Sequence, residues 1–142
     1  QAALCLLAEG EACESLNDAS PVLRFQAPAF SLLCTGDGEE AAEQNALLYG
    51  GNLSADVLVA GHHGSYTSNS ETFVQTVDPR VVAISCGVDN EYGHPHGAAL
   101  AAFESVGADI YRTDTDGTIV CYADEAGKLR VACGAKTTAR AA

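Results

Sequence analysis

Asp37, His62, His63, His94 and His96 are the side chains of this sequence best suited to chemistry, and they fall in three short runs that carry glycine. The runs are Thr35-Gly36-Asp37, Gly61-His62-His63-Gly64-Ser65 and Tyr92-Gly93-His94-Pro95-His96. Imidazole nitrogen and carboxylate oxygen are ligands for zinc or manganese, and paired ions of this kind activate water for attack on phosphorus or a carbonyl. Glycine beside them lets the backbone come close to a bound group. Each run follows the carboxyl end of an expected strand, where open α/β sheets bind their ligands. Each also has a purely structural explanation. Asp37 suits a helix cap, His62-His63 a surface loop with one ring on Tyr66, and His94-Pro95-His96 a rigid turn ahead of a helix. Singly those explanations are favoured; together, with all four histidines of the chain in two of the runs, a shared site is the better account.

The elements that must position these runs follow from the hydrophobic pattern. Residues 22–26 and 30–34 read as two strands of a hairpin, and 39–49 as a helix with an apolar face of Ala42, Ala46, Leu47 and Tyr49, ended by Gly50-Gly51. Residues 56–61 and 80–87 are continuous apolar runs, as expected of parallel strands covered on both faces. Between them 70–77 reads as a short helix stopped by Asp78-Pro79. A helix over 98–106 then feeds a strand over 109–113, a turn at 114–117, and a closing hairpin of 118–122 with 128–133. The alternation predicts an α/β fold with a mixed sheet, βαβ units and a C-terminal hairpin. Residues 1–20 read as an irregular start, 21–134 as the core, and 135–142 as a flexible tail.

Composition narrows the classes. At 142 residues, 47% hydrophobic and 18% charged, the chain is expected to form one globular domain. A net charge of −12 excludes a broad basic surface that would neutralise a nucleic-acid backbone unaided. The longest apolar runs fall far short of the ~20 residues that span a bilayer, and the apolar N-terminal stretch lacks the basic residues of a signal peptide. The six cysteines include no CxxC pair. Cys34 and Cys86 sit in strand-like runs as small buried hydrophobes, and in the simplest hairpin register Cys121 faces a residue near Arg130 rather than Cys133.

In order along the chain, Phe30-Ser31-Leu32-Leu33-Cys34-Thr35-Gly36-Asp37, Ala55-Asp56-Val57-Leu58-Val59-Ala60-Gly61-His62-His63-Gly64-Ser65 and Asn90-Glu91-Tyr92-Gly93-His94-Pro95-His96 are followed by Tyr111-Arg112-Thr113-Asp114-Thr115-Asp116-Gly117. This ordered set resembles the successive motifs of the metallo-β-lactamase-like domain of ComEC-type competence proteins, over about residues 17–120. The resemblance implies half of an αββα sandwich whose two metal ions, zinc or manganese, lie at the seam between halves. It assigns Asp37 the metal-bridging role, with a further ligand in the Gly93-His94-Pro95-His96 segment and another histidine, His62 or His63, lining the site; the expected metal set is Asp37, His63 and His94, and the expected catalytic set Asp37, His62 and His63. His94 is preferred to His96 because a glycine precedes it. Ser65, Thr67 and His96 fall where substrate would bind. Asn17-Asp18-Ala19-Ser20 stands where other members place another histidine ligand.

The family's first-half motif, His-x-His-x-Asp-His or His-x-Asp-x-Asp-His, has no counterpart, since no histidine precedes His62. The expectation is therefore a partial domain that lacks its N-terminal half, holds no metal and is inactive alone, and pairs with a second copy through the uncovered sheet face. The resemblance implies that the parent hydrolyses DNA phosphodiester bonds during competence and belongs to a polytopic bacterial membrane protein. Two other readings compete with it. One is a small-molecule metallo-hydrolase acting on a lactone, thioester or phosphoester; the other is a non-catalytic module that has lost its metals.

Overall fold

A computed structural model describes residues 3–8 and 15–134. Cys13 and the tail expected over 135–142 lie outside the described residues. In chain order the strands and helices are β1 (Ala3–Ala8), β2 (Val22–Gln26), β3 (Ser31–Cys34), α1 (Glu40–Leu48), β4 (Val57–Val59), α2 (Glu71–Val77), β5 (Val81–Ile84), α3 (Gly97–Ser105), β6 (Asp109–Arg112), the single turn α4 (Thr113–Asp116), β7 (Thr118–Ala123) and β8 (Leu129–Gly134). The mixed α/β architecture read from the sequence is what forms, with a C-terminal antiparallel hairpin.

Six strands make one sheet in the order β1-β2-β3-β4-β5-β6. β1 to β3 pair antiparallel, and β3 to β6 pair parallel. Residues 3–8 depart from the expected irregular start, because they gain a partner in β2, with a register irregularity between Leu6 and Ala8. The parallel register aligns Leu33, Leu58, Val82 and Ile110 across four strands on one face. The β3-to-β4 register is also fixed by Asp56, whose carboxylate accepts hydrogen bonds from the Ser31 amide and hydroxyl, both at 2.9 Å.

Strands laid down in sequential order, each joined by a right-handed crossover, place all their helices on the same side. Accordingly α2 packs between α1 and α3. The core lies beneath them: Phe73, Val74 and Val77 of α2, Ala46 of α1, and Ala99, Ala102 and Phe103 of α3 close over Leu33, Leu58, Val82 and Ile84. The expectation that both faces of the parallel strands are covered is thus met on one face. On the other, Val57 and Val81 are buried, but Leu23, Leu32, Cys34, Val59 and Ala83 stay partly in solvent and Phe25 is 37% exposed.

Three details differ from the pattern reading. Tyr49 is exposed, and Glu43 takes a buried place on α1. Residues 113–116 close one helical turn instead of a plain turn, because the Asp116 carboxylate accepts from the Arg112 amide at 2.7 Å. In the hairpin Cys121 faces Val131 and Cys133 faces Ile119, and Cys34, Cys86, Cys121 and Cys133 are free thiols. Phe103 of α3 is fully buried in the core between the helices and the sheet. Phe103→Ala is expected to lower the unfolding free energy by about 3–5 kcal/mol, read by urea denaturation.

Candidate functional site at the carboxyl ends of the strands

The loops after β3, β4 and β5 converge on one rim, because three neighbouring parallel strands end there. The rings of His62, His63 and His94 form a triangle with centroid separations of 6.3, 5.8 and 6.1 Å. Asp37 reaches the same group: its Oδ1 lies 3.6 Å from His63 Nε2. His96 stands next to His94 at 4.8 Å and packs edge-on against Tyr66.

Asp37 is not spent on capping α1. That work falls to Asp18, whose Oδ1 accepts hydrogen bonds from the Glu39 amide at 2.9 Å and the Ala42 amide at 3.2 Å. A buried carboxylate at a helix N-terminus satisfies donors that have no intrahelical partner. Asp37 is thereby left half-exposed beside the histidines.

The His62–His63 segment is held in an unusual shape. Both residues have left-handed backbone angles, φ 47° and 57°, a conformation that costs roughly 1–2 kcal/mol for a residue with a Cβ. Gly64 follows at φ 80°, and a Cβ there would meet Pro95 Cβ at 2.7 Å. The buried amide of Asn69 enforces the shape: Oδ1 accepts from the Gly61 amide at 2.9 Å, and Nδ2 donates to the carbonyls of Gly61 at 2.9 Å and Ser65 at 3.3 Å. Asn69 is in turn fixed by Glu43, whose two carboxylate oxygens accept from the amides of Asn69 at 2.5 Å and Ser70 at 3.0 Å. Burial pushes the Glu43 carboxyl above its ordinary range, while these bonds pull the other way.

Hydrogen bonding also sets how the rings present their nitrogens. His63 Nδ1 lies 2.7 Å from the Ser85 carbonyl, so it carries a proton and donates. In the neutral ring that leaves the Nε2 lone pair facing the Asp37 carboxylate, and two acceptors face each other until a proton or cation stands between them. His96 Nδ1 accepts from the Tyr66 amide at 3.1 Å, which puts the proton of its neutral ring on Nε2. His62 Nδ1 sits 3.5 Å from Glu39 Oε1 and 3.4 Å from Thr67 Oγ1. Thr67 donates its hydroxyl to Glu39 at 3.2 Å, and Ser65, only 4% exposed, lies 3.0 Å from Thr67. Ser65 and Thr67 thus brace the loop.

His94 is tied down by Asn90, which accepts from its amide at 2.8 Å and donates to its carbonyl at 2.7 Å. Desolvation first, then the neighbouring imidazoles of His96, His62 and His63, hold its pKa below the ordinary histidine value. A neutral ring with a free lone pair is the form that ligates a metal.

The resemblance implies a pair of metal ions at this rim. Asp37 and His63 stand at a separation suited to two ligands of one ion. Among the described residues, however, no group of three His, Cys, Asp or Glu side chains is arranged to hold an ion. Glu39, Glu43 and Asn69 belong to the site although no motif marked them, the acidic start of α1 and the polar run Thr67-Ser68-Asn69-Ser70 being their only trace in the sequence, whereas Asn90 and Tyr92 stood inside the Asn90-to-His96 motif without an assigned role.

Two outcomes follow. Asn69→Ala leaves the buried Gly61 amide without an acceptor and is expected to cost about 1–3 kcal/mol, with the His62 and His63 ring resonances losing their single set of shifts. Asn69→Gly, which relieves the left-handed backbone at φ 63°, separates strain from the lost bonds. A folded-state pKa below the unfolded value means that His94 contributes stability above about pH 6.5 and loses it as pH falls further. The melting temperature should decline below that pH, and His94→Asn should flatten this part of the profile.

Among the described residues no helix is long and apolar enough to cross a membrane. No protein-family profile matches the chain. It is 40% identical over 105 residues, 74% of its length, to "ComE operon protein 3" of Bacillus subtilis (strain 168). It is 41% identical over 104 residues, 72% of its length, to "Competence protein ComA" of Neisseria gonorrhoeae, and 36% identical over 89 residues, 63% of its length, to "Recombination protein 2" of Haemophilus influenzae. The aligned stretches make up 14%, 15% and 11% of those relatives. The chain is thus related to the competence-protein family and corresponds to one segment of its much longer members.

Proposed function

We propose that the chain forms one wall of a metal-dependent phosphodiesterase site of the metallo-β-lactamase type that cuts DNA during its uptake. The observation that carries this reading is the Nε2 lone pair of His63 aimed at the Asp37 carboxylate 3.6 Å away, with the rings of His62 and His94 beside it. The names of the relatives, which speak of competence and recombination, support DNA as the polymer.

Asp37, His63 and His94 are the residues that would hold zinc or manganese, the remaining donors coming from parent sequence outside these 142 residues. When bound, such ions supply positive charge to the phosphate and acidify a water. The half-covered sheet face, which borders the rim, is where that other sequence would pack.

The chain's own residues have separable parts in this scheme. Glu39 beside Nδ1 of His62 keeps a proton on that nitrogen and frees Nε2 to take one from water or return one to the leaving oxygen. His96, with its proton on Nε2, donates to a phosphate oxygen. Thr67 keeps Glu39 and His62 in register, and Ser65 steadies Thr67 beneath them.

The 142-residue chain is expected to hold no stoichiometric metal and to leave DNA uncut. The parent domain should bind zinc or manganese and cut DNA, and Asp37→Ala and His63→Ala should each slow cleavage about 100-fold or more. A parent domain that carries metal yet cuts DNA equally well with and without Asp37 would overturn the assignment. One that carries no metal and cuts nothing would be a non-catalytic module.

A further inference from the structure

We propose that the cleft beside Tyr92 is a nucleobase subsite, in which one base of a DNA strand stacks on the tyrosine ring while its neighbouring phosphate reaches the histidine rim. This rests on the phosphodiesterase reading and adds to it the part of the nucleotide that the chain itself recognises. The cleft measures about 450 Å³, within the range of about 300–1,000 Å³ typical of small-molecule sites. His63 and His94 line it together with Cys86, Gly87, Asn90 and Tyr92.

Three observations favour a base as the occupant. The first is the platform. Tyr92 is 70% exposed, yet its ring lies nearly parallel to His94, at 20° and 5.6 Å between centroids. A ring supported on one side and open on the other can stack a base at little further cost in side-chain freedom. Its loop is rigid, because Asn90 bonds to both the amide and the carbonyl of His94 and also donates to the Gly87 carbonyl at 3.0 Å.

The second observation is charge. In a chain of net charge −12, no aspartate, glutamate, lysine or arginine among the described residues lines this cleft. A phosphate would find no fixed cation there, whereas a neutral flat ring meets no opposing charge. The third is room: a Cβ placed on Gly87 would find nothing nearer than Asn90 Cβ at 3.8 Å, and one on Gly93 would find nothing within 4 Å.

The same geometry sets the specificity. The Asn90 amide already makes three hydrogen bonds inside its own loop, and the Ser85 carbonyl receives His63. Few polar edges are left to read a base by hydrogen bonding, so the subsite accepts a base by its face and tolerates any of the four.

The test titrates the 142-residue chain by amide NMR with thymidine, which carries no phosphate, and in parallel with deoxyribose. Thymidine is expected to move the Gly87, Asn90 and Gly93 amides by ring current, and deoxyribose to leave them in place. Tyr92→Ala should weaken thymidine binding about fivefold or more, and Tyr92→Phe should restore it. Because Tyr92 is largely exposed, both variants are expected to keep the core methyl spectrum of the parent chain. Equal shifts from the two titrants, or unchanged binding by Tyr92→Ala, would overturn the subsite. Neither readout involves metal or cleavage, so a parent domain that cuts DNA without base stacking here refutes the subsite alone, and one that stacks thymidine but never cuts refutes the phosphodiesterase alone.

Discussion

The rim depends on one buried side-chain amide. Two consecutive left-handed residues after β4 turn His62 and His63 toward Asp37, and an isolated peptide would not hold that shape. Asn69 makes it the favoured one by bonding both ends of the turn, at Gly61 and Ser65. Glu43, from a different helix, then accepts from the amides of Asn69 and Ser70. A carboxylate with 1% of its surface in solvent is costly unless fully hydrogen-bonded. Here its cost secures a loop geometry that no apolar residue at the same place could enforce. The site is therefore as rigid as the packing of α1 against α2, and strain at the rim is borne by the interior.

Topology explains why the rim lies where it does. Sequential parallel strands with helices on one side bring three consecutive loops to the same end of the sheet. Among the described residues they also leave the opposite face only partly covered. The half-solvated stripe of Leu23, Phe25, Leu32, Cys34, Val59 and Ala83 follows from that choice and not from poor patterning. Under the proposed function the two facts are linked, since sequence packed on that face could also bring donors to the rim.

Much of this was legible in the sequence, for reasons that can be named. The apolar runs around Val57 and Val81 are too short and too continuous for amphipathic helices, and Gly50-Gly51 and Pro79 punctuate the chain at the element ends. The clustering of Asp37 with the histidines followed from strand polarity alone. What escaped was set by contacts distant in sequence. Residues 3–8 carry no turn or alternation signal and become a strand only because β2 offers an edge. Nothing in a pattern distinguishes Glu43 from the other acids of its helix, although it alone among them faces inward. By position Asp37 is the aspartate suited to cap α1, and the three-dimensional approach of the 17–19 turn gives the role to Asp18 instead.

That last exchange bears directly on function. A helix N-terminus attracts the nearest carboxylate, and an aspartate bonded to backbone amides is a weaker ligand and a weaker base than a free one. Had Asp37 capped α1, the histidines would have gathered around a carboxylate already committed elsewhere. With Asp18 supplying the cap from the 17–19 turn, Asp37 is left half-exposed beside His63. Asn17 contributes to the same end by donating to Glu39 at 3.3 Å, which helps hold the carboxylate that borders His62. The 17–20 segment thus serves by leaving Asp37 outside the helix cap and by orienting the Glu39 carboxylate. In an acidic chain the rim in this way keeps the half-exposed Asp37 carboxylate beside imidazole rings, while Asp18 and Glu43 are turned inward to capping and bracing.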